Sequence, residues 1–176
     1  MKPSRALRPK SQFRFGIVVS QFNRSVTSRL LVSCLDRLAR QGINRSAIEV
    51  VKVPGAFEIP VVARAMAETG RFDAIICLGA VIRGETPHFD YICAETSRGI
   101  SQVALETGVP VIFGVLMTET ALQAVERADP SKFDRGGAVA KAAVQMAKVM
   151  RRLGTMTPAE DGQPPSRWGN RPSSRH

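Results

Sequence analysis

The alternation of short apolar runs with segments of helical periodicity is the feature that most limits the folds open to this chain. Four runs are rich in apolar residues, one of them (48–53) mainly β-branched with Glu49 and Lys52 inside it, and the residues that bound them are mostly glycine, proline or polar. These runs span residues 15–20, 48–53, 74–82 and 109–117. Strands read this way when helices cover both faces of a parallel sheet. The sequence therefore predicts an α/β fold with a four-stranded parallel sheet and helices on both faces.

The segments between and after these runs are predicted to be helices. In the first of them, apolar residues recur at helical spacing, and Gly42, Gly70 and Gly108 follow the first three segments at the point where each helix should stop. The predicted helices span residues 26–41, 57 or 60 to 69, 87–107, 119–128 and 136–153. Strand and helix therefore alternate along the chain, as in repeated β-α-β units with right-handed crossovers.

The positive charge of the chain is concentrated at its two ends. The net charge is +10, of which residues 1–14 contribute +5 and residues 151–176 contribute +3. We expect one domain at residues 13–153, flanked by basic disordered tails at 1–12 and 154–176. Such tails can contact RNA non-specifically. The nearly neutral body makes nucleic acid an unexpected partner.

Two further observations exclude classes of protein. No apolar run reaches the roughly 18–20 residues that cross a bilayer, and no signal-like segment follows the basic N-terminus, so a cytoplasmic protein without a membrane partner is expected. Cys34, Cys77 and Cys93 are widely spaced, with no Cys-x-x-Cys pair and one interior histidine. We therefore expect no metal site and a packing role for the cysteines.

The loop after the third strand carries that interior histidine. Ligands of parallel sheets bind at the carboxyl ends of the strands. Thr86 is predicted to cap the next helix, with Pro87 at its first position and His88 at its second. Unpaired N–H groups at a helix start, preceded here by Gly84, can hold a phosphate. The dipole favours a neutral imidazole, which can move a proton. On these residues alone, both a structural and a catalytic role for His88 stay open.

The other strand-end residues also allow two interpretations each. Phe22 is either a lid over the core or a platform for a planar ring. Glu58 can accept hydrogen bonds from a ligand or complement a helix dipole, and Gly55 lets a ligand approach the backbone. Arg127 either complements a helix end or binds a phosphate, with Arg135 in the same charge cluster.

Four segments together carry a resemblance to a known family. FGIVVSQFN, VPGAFEIP, GAVIRGETPHFDY and VPVIFGVLMTE, in this order, resemble the 6,7-dimethyl-8-ribityllumazine synthases of riboflavin biosynthesis over about residues 13–151. The resemblance implies a flavodoxin-like three-layer sandwich. It also implies a transferase that condenses 5-amino-6-(D-ribitylamino)uracil with 3,4-dihydroxy-2-butanone 4-phosphate, without a metal or organic cofactor.

The resemblance implies a role for each site residue. His88 would be the proton shuttle, Phe22 would stack on the pyrimidine, Glu58 would hold the ribityl hydroxyls, Arg127 would pair with the phosphate, and Phe113 would come from a neighbouring subunit. The residues expected to bind the two substrates are Phe22, Asn23, Gly55, Ala56, Phe57, Glu58, Val81, Ile82, Arg83, Gly84, Glu85, Thr86, Phe113, Arg127 and Arg135.

The resemblance also implies a homo-oligomer, since the family's sites lie between subunits of a pentamer. Some members remain pentamers and others close into sixty-subunit shells. Arg135 stands where many members have lysine, and this departure favours the pentamer. An archaeal-type riboflavin synthase is an alternative, although the intact GAFE and GETPHF loops argue against it. A non-catalytic flavin-binding module is another, but SQFNRSVTS lacks the glycine of a flavodoxin phosphate loop.

Overall fold

The four predicted strands form one parallel sheet. In the computed structural model, which describes residues 12–155, every adjacent pair of strands is parallel. The strands are β1 (Phe15–Ser20), β2 (Ile48–Val53), β3 (Ala74–Ile82) and β4 (Val111–Thr118). Their order across the sheet is β2-β1-β3-β4, which is the flavodoxin-like order. The predicted fold class is confirmed.

Five α-helices cover the sheet and create two hydrophobic cores. They are α1 (Arg24–Arg40), α2 (Ile59–Glu68), α3 (His88–Thr107), α4 (Ala121–Ala128) and α5 (Arg135–Thr155). Helices α1, α4 and α5 pack on one face of the sheet, and α2 and α3 pack on the other. Each helix begins and ends within two residues of its predicted bounds. A short 3-10 turn at Arg45–Ala47 was not predicted.

The centre of the sheet is buried because side chains on its two faces meet different helices. All six residues of β1 are buried. Ile17 packs into the core under α1 and α5, whereas Val18 points to the core under α2 and α3. A strand buried on both faces must be apolar along its whole length, and this accounts for the continuous apolar run. No helix within residues 12–155 is long and apolar enough to span a membrane.

The start of α3 differs from the sequence prediction. The helix begins at His88, with Pro87 in the capping position and no side-chain capping hydrogen bond. The predicted cap at Thr86 is therefore wrong, and His88 is the first helical residue. Pro87 has φ −61°, which its ring enforces and which already suits a helix, and its carbonyl accepts a 3.0 Å hydrogen bond from the N–H of Asp90. A turn held this way needs no hydroxyl cap.

The ends of the first three helices follow the prediction. Gly42, Gly70 and Gly108, which come just after α1, α2 and α3, have φ of 80°, 65° and 68°. This left-handed conformation is the one that glycine adopts readily at a helix end. The predicted tails, residues 1–12 and 154–176, lie outside the described residues apart from their innermost positions. There α5 extends through Gly154 to Thr155.

Candidate active site

A cavity of about 440 Å³ opens at the carboxyl ends of the central strands. Its size is typical of sites for small organic ligands. Its lining comes from the loops after β1, β2 and β3 and from the first turns of α3. The predicted site residues that it brings together are Phe22, Gly55, Ala56, Phe57, Glu58, Val81, Ile82, Gly84, Thr86 and His88.

Backbone hydrogen bonds hold the first two loops side by side. The N–H of Gln21 donates to the carbonyl of Val53 at 2.8 Å, and the N–H of Phe22 donates to the carbonyl of Pro54 at 2.9 Å. The pairing of β1 with β2 thus continues past the last strand residues. This continuation places Phe22 beside the loop that leads to Glu58.

Asn23 joins the first loop to the third strand. Its Nδ2 donates a 2.9 Å hydrogen bond to the carbonyl of Ala80, and its φ is 55°, a left-handed conformation that asparagine tolerates better than most residues. Asn23 does not line the cavity. The sequence assigned it to substrate binding, whereas the structure has its amide fixing the position of the loop.

Two aromatic rings at the cavity are largely exposed. Phe22 is 71% exposed and Phe57 is 56% exposed. It is favourable for a planar ligand to cover a large apolar ring that is otherwise in contact with water. Aromatic rings stack best in an offset arrangement. Of the two interpretations of Phe22, the lid over the core does not fit this exposure. The platform does.

The carboxylate of Glu58 is held by the loop that carries it. Its Oε2 accepts a 2.9 Å hydrogen bond from the N–H of Gly55. A Cβ on residue 55 would lie 3.0 Å from the same oxygen, so glycine leaves room for this contact. An ionised carboxylate can accept about four hydrogen bonds, and Glu58 therefore keeps capacity for hydroxyl or amine donors of a ligand.

The loop between β3 and α3 presents backbone donors to the cavity. Within residues 12–155, the N–H groups of Gly84, Glu85 and Thr86 have no protein acceptor, and all three residues are exposed. They lie just before the positive end of α3, where an anion is stabilised. His88 is at the same helix start and faces the same cavity. Glu85 does not line the cavity, but its N–H group belongs to the same loop.

Arg83 does not line the cavity, although the sequence assigned it to substrate binding. Its guanidinium makes two hydrogen bonds with Asp90, at 2.9 and 3.1 Å, and one with Glu119 at 2.6 Å. It also lies 4.1 Å from the centre of the Phe89 ring. These hydrogen bonds raise the pKa of Arg83 and lower the pKa of Asp90. Two carboxylates of the same chain thus pair with the positive charge of Arg83.

Three further predicted residues lie away from the cavity of the same chain. Phe113 pairs with Cys77 in the first half of β4, five residues before the strand reaches Thr118, and so about 16 Å from that edge of the sheet. Arg127 is in the last turn of α4, with its guanidinium 5.7 Å from the centre of the Phe133 ring. Arg135 is exposed at the start of α5.

Three lining residues were not predicted, namely Ala80, Phe89 and Ile92. Ile92 follows His88 by four positions, and residues four apart lie on the same side of a helix. The helical spacing could have identified it. Phe89 is nearly buried, at 9% exposure, under the Arg83 guanidinium.

Residues 12–155 contain no group of three or more His, Cys, Asp or Glu side chains that could hold a metal ion.

Comparison with known proteins gives one consistent result. The sequence profile of the family described as 6,7-dimethyl-8-ribityllumazine synthase matches residues 12–151. A protein of Desulfatibacillum aliphaticivorans named 6,7-dimethyl-8-ribityllumazine synthase is 54% identical over 136 residues, which are 77% of this chain and 88% of that protein. The family match covers the sheet, all four loops at its carboxyl edge and α5 as far as residue 151. The chain belongs to the 6,7-dimethyl-8-ribityllumazine synthase family.

Proposed function

We propose that this chain condenses 5-amino-6-(D-ribitylamino)uracil with 3,4-dihydroxy-2-butanone 4-phosphate to 6,7-dimethyl-8-ribityllumazine, phosphate and water. Family membership supports the reaction. The observation that carries it is the cavity itself, which combines exposed aromatic rings, a held carboxylate and a loop of free N–H groups beside a histidine. A planar hydroxylated amine and a phosphate ester are the two ligands that such a lining fits.

The pyrimidine and the phosphate ester bind to different parts of the cavity. Phe22 stacks on the pyrimidine ring and Val81 and Ile82 flank it, while Glu58 accepts hydrogen bonds from the ribityl chain. The N–H groups around Gly84 bind the phosphate. This arrangement brings the 5-amino group of one substrate to the carbonyl carbon of the other.

The reaction then needs proximity and proton transfer. The amine adds to the carbonyl and water leaves to give an imine, and loss of a proton from the adjacent carbon allows phosphate to depart. The second amine closes the ring, and a further water is lost. His88 takes up and returns the protons. Orientation of two reactants can contribute roughly 7–11 kcal/mol and a positioned acid–base group about 10²–10⁴-fold in rate.

The complete site forms between copies of the chain. Phe113 and Arg127 lie away from the cavity of their own chain, so they serve the cavity of a neighbour, where Arg127 pairs with the phosphate. Arg135 lies at the other end of the segment that follows α4 and adds positive charge there. The functional unit is a cytoplasmic homo-oligomer built from pentamers.

The test is to mix the purified protein with both substrates. We expect lumazine fluorescence and an equal amount of released phosphate, both faster than the spontaneous reaction measured without protein. Rates equal to the spontaneous rate would contradict the proposal. Conversion of added lumazine to riboflavin would instead identify a riboflavin synthase.

A further inference from the structure

Arg83, Asp90 and Glu119 form an ion network at the edge of the cavity, which we call the Arg83 network. Arg83 is the first residue after β3, and Asp90 lies in the first turn of α3. The bidentate contact between them closes a loop whose interior holds the free N–H groups and His88. Glu119, just after β4, binds the same guanidinium through its Nε.

The backbone and the side chain of Arg83 are fixed independently. Its N–H donates a 2.9 Å hydrogen bond to the carbonyl of Thr118, which extends the pairing of β3 with β4 by one residue. Its guanidinium lies 4.1 Å from the centre of the Phe89 ring, and that ring lines the cavity beside His88. The side chain therefore contacts the two residues that follow His88, Phe89 and Asp90, without lining the cavity itself.

The loop that the network encloses has little else to hold it. Residues 84–88 are exposed, and within residues 12–155 no side-chain hydrogen bond involves them. An exposed ion pair usually contributes little to global stability, but bidentate geometry and a network of charges are the exceptions. A planar guanidinium that binds two carboxylates and stacks on a ring is such a case.

We propose that Arg83 is a positioning residue, which sets the geometry of the phosphate-binding loop and of His88 through Asp90 and Glu119. This inference rests on the proposed function. The loop must present several N–H groups and one imidazole to the same substrate, and a displacement of about 1 Å in such a site can cost about 100-fold in rate. The Arg83 network removes the freedom that would allow this displacement.

The test compares Arg83→Gln and Asp90→Asn with Arg64→Gln. Arg64 is a matched control because it also binds two carboxylates, Glu68 at 2.8 Å and Glu106 at 3.2 Å, but it lies on α2 outside the cavity. We expect the first two variants to lower kcat/KM for the butanone phosphate about 10- to 100-fold. The KM for the pyrimidine should change much less, because Phe22 and Glu58 are on other loops and Val81 and Ile82 are held by the pairing of β3 with β4.

Two outcomes overturn the inference. One is an equal loss for both substrates together with a lower Tm, which indicates general destabilisation. The other is activity equal to that of the Arg64→Gln control.

A second measurement separates this inference from the proposed function. Amide hydrogen exchange in residues 90–94 should become faster in Arg83→Gln than in the control, because the ion pair that joins the first turn of α3 to the end of β3 is lost. If the unmodified protein makes no lumazine, the proposed function fails, and the exchange result still decides whether Arg83 holds the loop. Unchanged exchange would show that it does not.

Discussion

His88 combines two properties that a proton shuttle needs. It lines the cavity, and it starts a helix whose backbone positions it beside free N–H groups. The substrates supply much of the reactivity themselves, since the amine is nucleophilic and phosphate is a competent leaving group. In the proposed function, the histidine accelerates a reaction whose main requirement is the alignment of two bound molecules.

Replacement of His88 by alanine should slow turnover without abolishing it. We expect kcat to fall about 10²–10⁴-fold, the range for loss of a general acid–base group, while proximity still accelerates the reaction. Saturating initial rates of lumazine formation, corrected for the spontaneous reaction, measure this. An unchanged kcat would exclude His88 as the shuttle.

Asp134 links the start of α5 to α1 through an ionised carboxylate. It accepts hydrogen bonds from Ser33, from the N–H of Gly137 at 3.1 Å and from Arg37 at 3.3 Å. Partial burial alone would raise the pKa of Asp134, but these hydrogen bonds outweigh it and lower the pKa. The folded state therefore stabilises the charged form of this side chain.

The Asp134→Asn variant should be less stable at neutral pH than at acid pH, relative to the unmodified chain. Charged hydrogen bonds contribute about 1.5–3 kcal/mol, so we expect a loss of about that size at pH 7. The contribution is fully present above the ordinary carboxyl pKa of 3.8 and disappears as pH falls through the lowered folded pKa. Urea unfolding at a fixed protein concentration between pH 7 and pH 3 measures it. A difference independent of pH would contradict this account.

The sequence identified most of the residues that line the cavity, but it did not identify the ion pairs that form beside it. Phe22, Glu58 and His88 are at strand ends, and parallel topology alone brings strand ends together. Arg83 is at a strand end too, but its guanidinium pairs with Asp90, seven residues later, and with Glu119, which is 36 residues away in the sequence. Nothing in the local pattern indicates this pair, and so the sequence could not show that Arg83 is neutralised.

At the scale of elements, periodicity was sufficient because each helix presents one apolar face and each central strand presents two. The exception is the start of α3, because two neighbouring residues are each suitable to begin that helix. Thr86 suits a capping position, but Pro87 already has helical φ and begins the turn without it. Local propensity permits both beginnings, and the structure has the one at Pro87.

Two glycines of α5, Gly136 and Gly154, allow the effect of packing on stability to be measured separately from the effect of helix propensity. A Cβ on residue 136 would collide with the carbonyl of Leu30 in α1 and lie 3.0 Å from the Cβ of Ser33, whereas a Cβ on residue 154 meets nothing within 4 Å among residues 12–155. Both positions are in the same helix. The same substitution should therefore have opposite effects.

Gly136→Ala should lower the free energy of unfolding by about 1–3 kcal/mol, the usual cost of overpacking, because the backbone of α1 must move. Gly154→Ala should raise it by at most about 0.5 kcal/mol, since alanine is the better helix former but residue 154 is in the last turn of α5. Denaturant unfolding of both variants at one protein concentration provides the measurement. Destabilisation by both would mean that the close approach of α1 and α5 is not the cause.

At the scale of the whole molecule, one copy of the chain holds only part of the predicted site. The cavity contains ten of the predicted residues, and Phe113 and Arg127 belong to the edge strand and to the helix that follows it. Sequence reasoning alone could not tell a misassigned residue from one that serves a neighbour. Phe113 is far from the cavity of its own chain, so it is either misassigned or serves the cavity of a neighbouring chain.

Co-expression of two impaired variants distinguishes these explanations. If Arg127 serves a neighbouring cavity, a mixed oligomer of His88→Ala and Arg127→Ala chains contains sites with both residues intact, about a quarter of the total under random assembly. Activity should then exceed that of either variant alone. Phe22 and His88 line the same cavity of one chain, so co-expression of Phe22→Ala with His88→Ala should restore nothing. Equal results for the two mixtures would mean that Arg127 does not act in the site of another copy.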